Sequence, residues 1–306
     1  GGGTNQQLSK MGYSNCLTPE HRVLTADMRW VCAGDLVIGD LLVGFDEKGL
    51  GPRQRRRYRL SEVIGCASRR EDVYRIVLSD GTELKATADH PWIMKTMLSH
   101  KTQWRETAYL RVGDKFPKVF TPWLTMTTFD AGWMSGILDG EGSAGFYRGQ
   151  GVGEFDLTGT QRHLSIGQNP GPVLDRVCAL LRQWGFQFSL GPDSRGSRCM
   201  RIRISQKTDV ARLLGMARPV RLLSKVTPGW FGAANGFMDV SVEAVEKLAR
   251  RDIAALETST GTYISEGYQA HNSYVWRYRD EVVPRYSRKT GWECVVPESK
   301  ILRADL

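Results

Sequence analysis

From Cys16 to about Lys118 the apolar positions come in short runs broken by turn residues. Arg22–Thr25, Leu41–Phe45 and Val73–Leu78 each have the length and β-branched or aromatic content of a strand. The last runs into Ser79-Asp80-Gly81-Thr82, where a glycine at the turn predicts a hairpin. Many short strands at close spacing predict an all-β unit. The period changes between about 125 and 225. Phe129–Leu138 reads as a helix, Ala144–Tyr147 and Leu164–Ile166 as strands. Pro172–Gly185 is a helix with proline at its start and glycine at its stop. Phe186–Leu190 and Cys199–Ile204 alternate as strands, and Asp209–Met216 is helical. The order is α-β-β-α-β-β-α. Past Met238 strand-like runs return at Asp239–Val242 and Ile253–Leu256, and a helix-like stretch lies at Tyr274–Val283.

This pattern divides the 306 residues into five segments: 1–15, 16–124, 125–225, 226–272 and 273–306. The second and fourth are β-rich and the third is an α/β insertion between them. With 41% apolar and 25% charged residues the chain reads as globular, with a core of its own. No apolar run has bilayer-crossing length, and the glycine-rich start lacks a signal peptide's apolar stretch, so no membrane association is expected. The chain also starts without Met, as a fragment of something longer would. Six scattered cysteines without a C-x-x-C pair argue against a zinc site or a disulfide framework and fit a reducing, cytoplasmic setting.

The net charge is +9, which suits either solubility or a polyanionic partner such as DNA. Two places sharpen this. The basic run Pro52–Arg59 is a solvated loop or a DNA-touching arm. Arg201 and Arg203 fall on one face of their strand, because strand side chains repeat every two residues. Basic β-ribbons approach DNA grooves in this way.

The ends of the segment 16–272 carry residues suited to breaking and remaking peptide bonds. A thiol at Cys16 can attack the preceding carbonyl, that of Asn15, and turn an amide into a more reactive thioester. The step needs a proton delivered to the leaving nitrogen and donors for the oxyanion. Thr87 and His90, in a T-x-x-H arrangement just past a strand, are candidates. At the other end stand His271, Asn272 and Ser273. An asparagine can cyclise onto its own carbonyl and cleave the chain after itself. His271 can polarise that carbonyl, and Ser273 offers a hydroxyl to receive the acyl group. Singly these residues are ordinary: a lone cysteine is usually packing and an Asn-Ser pair usually a turn. Their conjunction in order carries the reading.

Cys16–Thr25 resembles the N-terminal splicing motif of inteins, and Trp30–Asp40 the "GDL.vGD" stretch that follows it. Thr87-Ala88-Asp89-His90-Pro91 is similar to the family's internal TxxH motif. Leu256–Gly267 with His271-Asn272-Ser273 is similar to its C-terminal motifs. The resemblance spans Cys16 to Asn272 and implies a mainly β, horseshoe-like splicing (HINT) fold built from both ends of that segment, acting without a cofactor. Segments 1–15 and 273–306 would then be short host flanks. Ala255 departs from the pattern, standing where the family often has an acidic residue; Asp89 is a candidate substitute.

Met134–Gly142 resembles the LAGLIDADG motif of homing endonucleases. Gly136 permits close helix packing, and the helix ends in the acidic pair Asp139 and Glu141. Phosphodiester cleavage uses carboxylate-held divalent metal. The resemblance implies Mg²⁺ at Glu141, Asp139 as a helix-end structural residue, and double-stranded DNA at an intein-less insertion site as substrate. Only one copy of the motif is convincing, since Pro228–Ala234 has no carboxylate in the required place. A single copy implies a homodimer through the motif helix. The competing readings are a standalone DNA endonuclease without splicing, a splicing domain with a decayed nuclease, and a host enzyme with an insertion.

Overall fold

The computed structural model describes residues 15–49, 55–95, 102–147, 161–193 and 198–273, together with the backbone of two strands at 283–287 and 291–295. The helix-like stretch at 274–282 and the first residues of the basic run, 52–54, lie outside the described residues. The strands are β1 Arg22–Leu24, β2 Trp30–Cys32, β3 Leu41–Phe45, β4 Tyr58–Leu78, β5 Glu83–Thr87, β6 Pro91–Lys95, β7 Thr102–Glu106 and β8 Lys115–Lys118. After the insertion come β13 Met238–Thr258, β14 Thr262–Ser265 and β15 Tyr268–His271, and β16 Val283–Ser287 pairs with β17 Gly291–Val295. Within the insertion lie α1 Phe129–Glu141, β9 Gly142–Tyr147, β10 Gln161–Gln168, α2 Pro172–Gln183, β11 Ser189–Pro192, β12 Met200–Ile204, α3 Lys207–Ala217 and the one-turn α4 Val220–Leu223.

Eleven strands form one antiparallel sheet in the order β2-β1-β14-β15-β6-β8-β13-β4-β3, with β5 on β4 and β7 on β6. Its topology brings distant chain segments together. The late hairpin β14–β15 enters between two early strands, β14 pairing β1 at Val23↔Ser265 and β15 pairing β6 at Ala270↔Trp92. The segment beginning at Cys16 enters between β5 and β13: Leu17 exchanges backbone hydrogen bonds with Ala254, and Thr87 donates to the Cys16 carbonyl at 3.0 Å. Both ends of the 16–272 segment are thereby sewn into one ladder.

The two longest strands depart from the sequence expectation. β13 is one strand of 21 residues where two separate runs, Asp239–Val242 and Ile253–Leu256, were expected. Its polar middle has little strand preference of its own. It is extended because β4, also of 21 residues, lies alongside it in register from Arg75↔Glu246 to Arg70↔Asp252, with a shift between Lys247 and Arg250. Partner context commonly overrides strand propensity in this way. The β4–β5 hairpin turns at Gly81, whose φ of 80° suits glycine.

The insertion is a four-stranded antiparallel sheet, β11-β12-β10-β9, with helices on one face. Alternation buries Leu164, Ile166, Ile202 and Ile204 against Met134, Leu138, Val177, Leu181, Val210 and Leu214. The strand expected at Phe186–Leu190 lies instead at Ser189–Pro192. Phe186 closes the end of α2, its N–H donating to the Leu181 carbonyl at 2.9 Å and the Arg212 guanidinium stacking 3.9 Å from its ring.

One apolar cluster continues from the insertion into the large sheet through Leu24, Met28, Phe45, Tyr58, Phe120 and Trp123. A second lies within the large sheet around Leu42, Val63, Ile76, Trp92 and Phe116. The approach at the join is close: a Cβ at Gly215 would overlap the Trp123 ring, whose Nε1 donates to the Met28 carbonyl at 3.1 Å. Among the described residues no helix is long and apolar enough to cross a membrane, which says nothing of β-barrels.

Candidate functional site

Cys16 is fully buried at the start of its inserted segment, in a small cluster with Val73, Ile253 and Ala255. Ala255 thus lines the thiol with a methyl group and offers it no proton acceptor. Burial pushes the Cys16 thiol up to about 11, opposed by a hydrogen bond with Ser273 and by the Arg69 charge. The thiol sulfur lies 3.5 Å from the Ser273 hydroxyl, although 257 positions separate them. The same hydroxyl donates to the Asn15 carbonyl at 2.8 Å. That carbonyl is the acyl group of the Asn15–Cys16 bond, so the two oxygen and sulfur nucleophiles flank one electrophile.

The T-x-x-H loop closes the other side. The Cys16 amide donates to Thr87 Oγ1 at 3.1 Å, and Thr87 Oγ1 donates to Asp89 Oδ1 at 2.7 Å. Asp89 Oδ1 also accepts from the Asn15 amide at 3.4 Å. Asp89 therefore braces the upstream junction through Thr87 and Asn15. His90 is fully buried against Trp92, with ring centroids 4.5 Å apart. Neither of its ring nitrogens has a hydrogen-bond partner among the described residues. Burial lowers its pKa to about 3, and the Asn15 backbone opposite the ring pulls the other way. His90 is accordingly a neutral imidazole at ordinary pH. A buried neutral imidazole that faces the Asn15 backbone and is not fixed by a strong hydrogen bond is suited to proton transfer at the Asn15–Cys16 bond.

At the downstream junction, strand pairing and turns fix the backbone. The Asn272 amide donates to the Gly261 carbonyl at 3.0 Å and the Ser273 amide to the Leu256 carbonyl at 2.7 Å. The Asn272 carbonyl faces two groups: His271 Nδ1 at 3.1 Å and the Asn15 side-chain amide at 3.2 Å. His271 Nε2 lies 3.3 Å from Glu47 Oε1, and Trp104 packs edge-on against the imidazole with centroids 5.1 Å apart. The ring sits between two acceptors, a carbonyl and a carboxylate, and its doubly protonated form donates to both. Asn272 Oδ1 is buried without a hydrogen-bond partner among the described residues.

Sequence reasoning missed Glu47 and the Asn15 side chain. Asn15 adjoins the motif and could have been weighed. Glu47 carries no local signal, since its link to His271 spans 224 positions.

The nuclease candidates lie apart from the junctions. Asp139 accepts from the amides of Val220, Arg221 and Leu222 at 2.7, 2.9 and 3.3 Å, capping α4 with its carboxylate. Glu141 is exposed at the end of α1. Arg201 and Arg203 share the sheet face away from the helices, opposite Gly167 and Ser165. Arg201 is tied to Asp193 at 2.6 Å. Among the described residues no group of three His, Cys, Asp or Glu side chains could hold a metal ion. With Asp139 committed to backbone amides, Glu141 is the single carboxylate remaining from the motif. Among the described residues, the motif thus offers a bound Mg²⁺ one uncommitted carboxylate.

No family model and no curated protein matches the chain. Solved structures similar to it are inteins and intein-like domains. A bacterial intein-like domain from Clostridium thermocellum is 11% identical, with 84% of this chain and 99% of that one covered, at a TM-score of 0.38. A DnaB intein from Synechocystis sp. PCC 6803 is 8% identical, covering 84% and 97%, also at 0.38. The gp41-1 intein is 10% identical, covering 85% and 99%, at 0.35. Likeness at this level identifies no activity, and the chemistry has to come from the junctions themselves.

Proposed function

We propose that the chain splices itself, excising Cys16–Asn272 and joining Asn15 to Ser273. The observation that carries this is the convergence of the Cys16 thiol, the Ser273 hydroxyl and the Asn15 carbonyl, at 3.5 and 2.8 Å. In the first step the Cys16 sulfur attacks the Asn15 carbonyl carbon. The C–N bond to Cys16 breaks, and the thiol proton ends on the freed amine. Thr87 and His90 are the groups beside that nitrogen, and the Ser273 hydroxyl is already directed at the oxygen that takes up charge. The Ser273 oxygen then attacks the thioester, and the acyl group passes from sulfur to oxygen. Asn272 Nδ2 attacks its own carbonyl, forming a succinimide and freeing the Ser273 amine. That amine displaces the ester oxygen, leaving an Asn15–Ser273 peptide bond. Intact-mass measurement of the expressed chain tests the reading. Splicing yields excised Cys16–Asn272 and a peptide in which Asn15 precedes Ser273, and the double substitution Cys16→Ala, Asn272→Ala leaves only full-length protein. Full-length unsubstituted chain, stable and folded, would refute it.

For the insertion we propose sequence-specific binding of double-stranded DNA, supported by the arginine face of β12. The motif offers one uncommitted carboxylate per chain among the described residues, and cutting would use a homodimer through α1 that brings two such carboxylates together. Gly132, Gly136 and Gly140 leave open space along that helix for such an approach. Glu141→Gln should abolish cutting of DNA carrying the uninterrupted insertion site while the splicing products still form. Loss of both activities would show that the two units are not functionally separate.

A further inference from the structure

The upstream flank is cargo in the reaction above, yet its last residue is held as machinery is held. Asn15 has a φ of 76°, in the left-handed region that asparagine tolerates better than most residues. Three of its four polar groups are engaged at the junctions. Its amide donates to Asp89 Oδ1 at 3.4 Å, its carbonyl accepts from Ser273 Oγ at 2.8 Å, and its side-chain Nδ2 donates to the Asn272 carbonyl at 3.2 Å. The last contact crosses from one splice junction to the other.

We propose that Asn15 is a catalytic residue of the downstream cleavage, its side-chain amide and His271 forming a two-donor cradle for the Asn272 carbonyl oxygen. This rests on the splicing reading and extends it to the identity of the flanking residue. When Asn272 Nδ2 attacks the Asn272 carbonyl carbon, a C–N bond forms and the oxygen takes on negative charge. The bond to Ser273 then breaks, and the proton from Nδ2 ends on the Ser273 amine. Donors already aimed at that oxygen need no reorganisation as the charge develops. His271 is steadied in its place by Glu47 and Trp104. Asn15 supplies the second donor from the opposite side of the site. An aspartate there would set an acceptor against the carbonyl, and alanine would set nothing.

The arrangement also ties the order of events to the substrate. The Asn15 acyl group moves from the Cys16 nitrogen to sulfur and then to the Ser273 oxygen, and all three lie around the same point. The amide therefore stays near Asn272 as long as the upstream flank remains attached. Hydrolytic loss of that flank removes the donor, so cyclisation is faster in chains still able to complete ligation.

The test uses the full chain with Cys16→Ala, which blocks the first step and keeps the flank in place, and follows release of the segment from Ser273 onward by time-resolved intact mass. Adding Asn15→Ala should slow release by about 10²–10³-fold, the range expected for losing one oxyanion donor. Asn15→Gly retains the left-handed backbone without the amide, and should be as slow as alanine. Asn15→Asp should be at least as slow. Release from the glycine and alanine variants at the parent rate would overturn the proposal and leave splicing standing. A folded Cys16→Ala parent that never releases the segment would overturn both.

Discussion

The two junctions and the inserted unit hold their reactive groups in opposite ways. At the junctions the candidate groups meet one another: Cys16, Thr87, His271, Asn272 and Ser273 are buried, Asn15 and Asp89 are half-buried, and with the exposed Glu47 they form one connected set. In the insertion Asp139 is used up in capping α4, and Glu141 stands exposed at a helix end. A site that acts on its own chain has its substrate covalently attached, so folding alone can assemble it and pay the ordering entropy in advance. A site that acts on an outside polymer stays open until the partner arrives. The difference predicts that splicing is unimolecular and that any activity of the insertion depends on concentration.

The sharpest way to break the comparison is at His90. Were the junction set merely structural, removing one buried imbalanced group would cost little activity. As a proton-transfer group, His90→Ala should slow thioester formation by about 10²–10⁴-fold. The measurement is thiol-induced release of the upstream flank in an Asn272→Ala, Ser273→Ala background. Thr87→Val, which removes the hydroxyl linking the Cys16 amide to Asp89, should reduce the same rate by a smaller factor. Unchanged release in His90→Ala would remove it from the mechanism.

A smaller effect comes from pH. Burial holds the Cys16 thiol up to about 11, so the thiolate is scarce at neutral pH. Below that value its fraction rises about tenfold for each unit of pH. The release of the upstream flank should therefore accelerate about tenfold per unit between pH 7 and 9. His90 stays neutral across this window, since its own value is about 3, and contributes no opposing titration. A flat profile would mean that the thiol hands its proton over during attack rather than before it.

How much of this was legible in the sequence follows the range of each interaction. Cys16, Asn272 and Ser273 announce chemistry by residue type and order, and T-x-x-H places Thr87 and His90 on one turn. Asp89 was visible inside that motif, though its contact with Asn15 was not. The Glu47–His271 pair has no local trace, because a turn after β3 meets β15 only once the sheet has closed. The insertion's α-β-β-α-β-β-α order was readable from period changes. Its third strand was shifted by a few residues because Phe186, apolar and next to other strand formers, is spent on closing α2. The middle of β13 was unreadable for a deeper reason. Val242–Arg251 has the composition of a helix surface, and only its pairing with β4 makes it a strand.

The smallest expected effect separates two arginines that the sequence treats alike. Arg201 and Arg203 lie two positions apart on the same face of β12, so period two alone gives them equal roles. The fold does not. Arg201 forms an ion pair with Asp193 at 2.6 Å and reaches Ser165 Oγ at 3.4 Å, so its charge is largely compensated before any DNA arrives. Arg203 lies opposite Ser189 on one side and Ser165 on the other, with no carboxylate at either paired position. An uncompensated charge contributes more to phosphate binding and to its salt dependence. In the splicing-blocked double variant, Arg203→Ala should weaken binding of duplex DNA several-fold and lower the salt slope by about one, as one phosphate contact is lost. Arg201→Ala should do less, because it also frees the Asp193 carboxylate and the two changes must be separated with Asp193→Asn. Equal losses from both arginines would show that DNA displaces the ion pair, and that this face is remodelled on binding in a way the junction pocket is not.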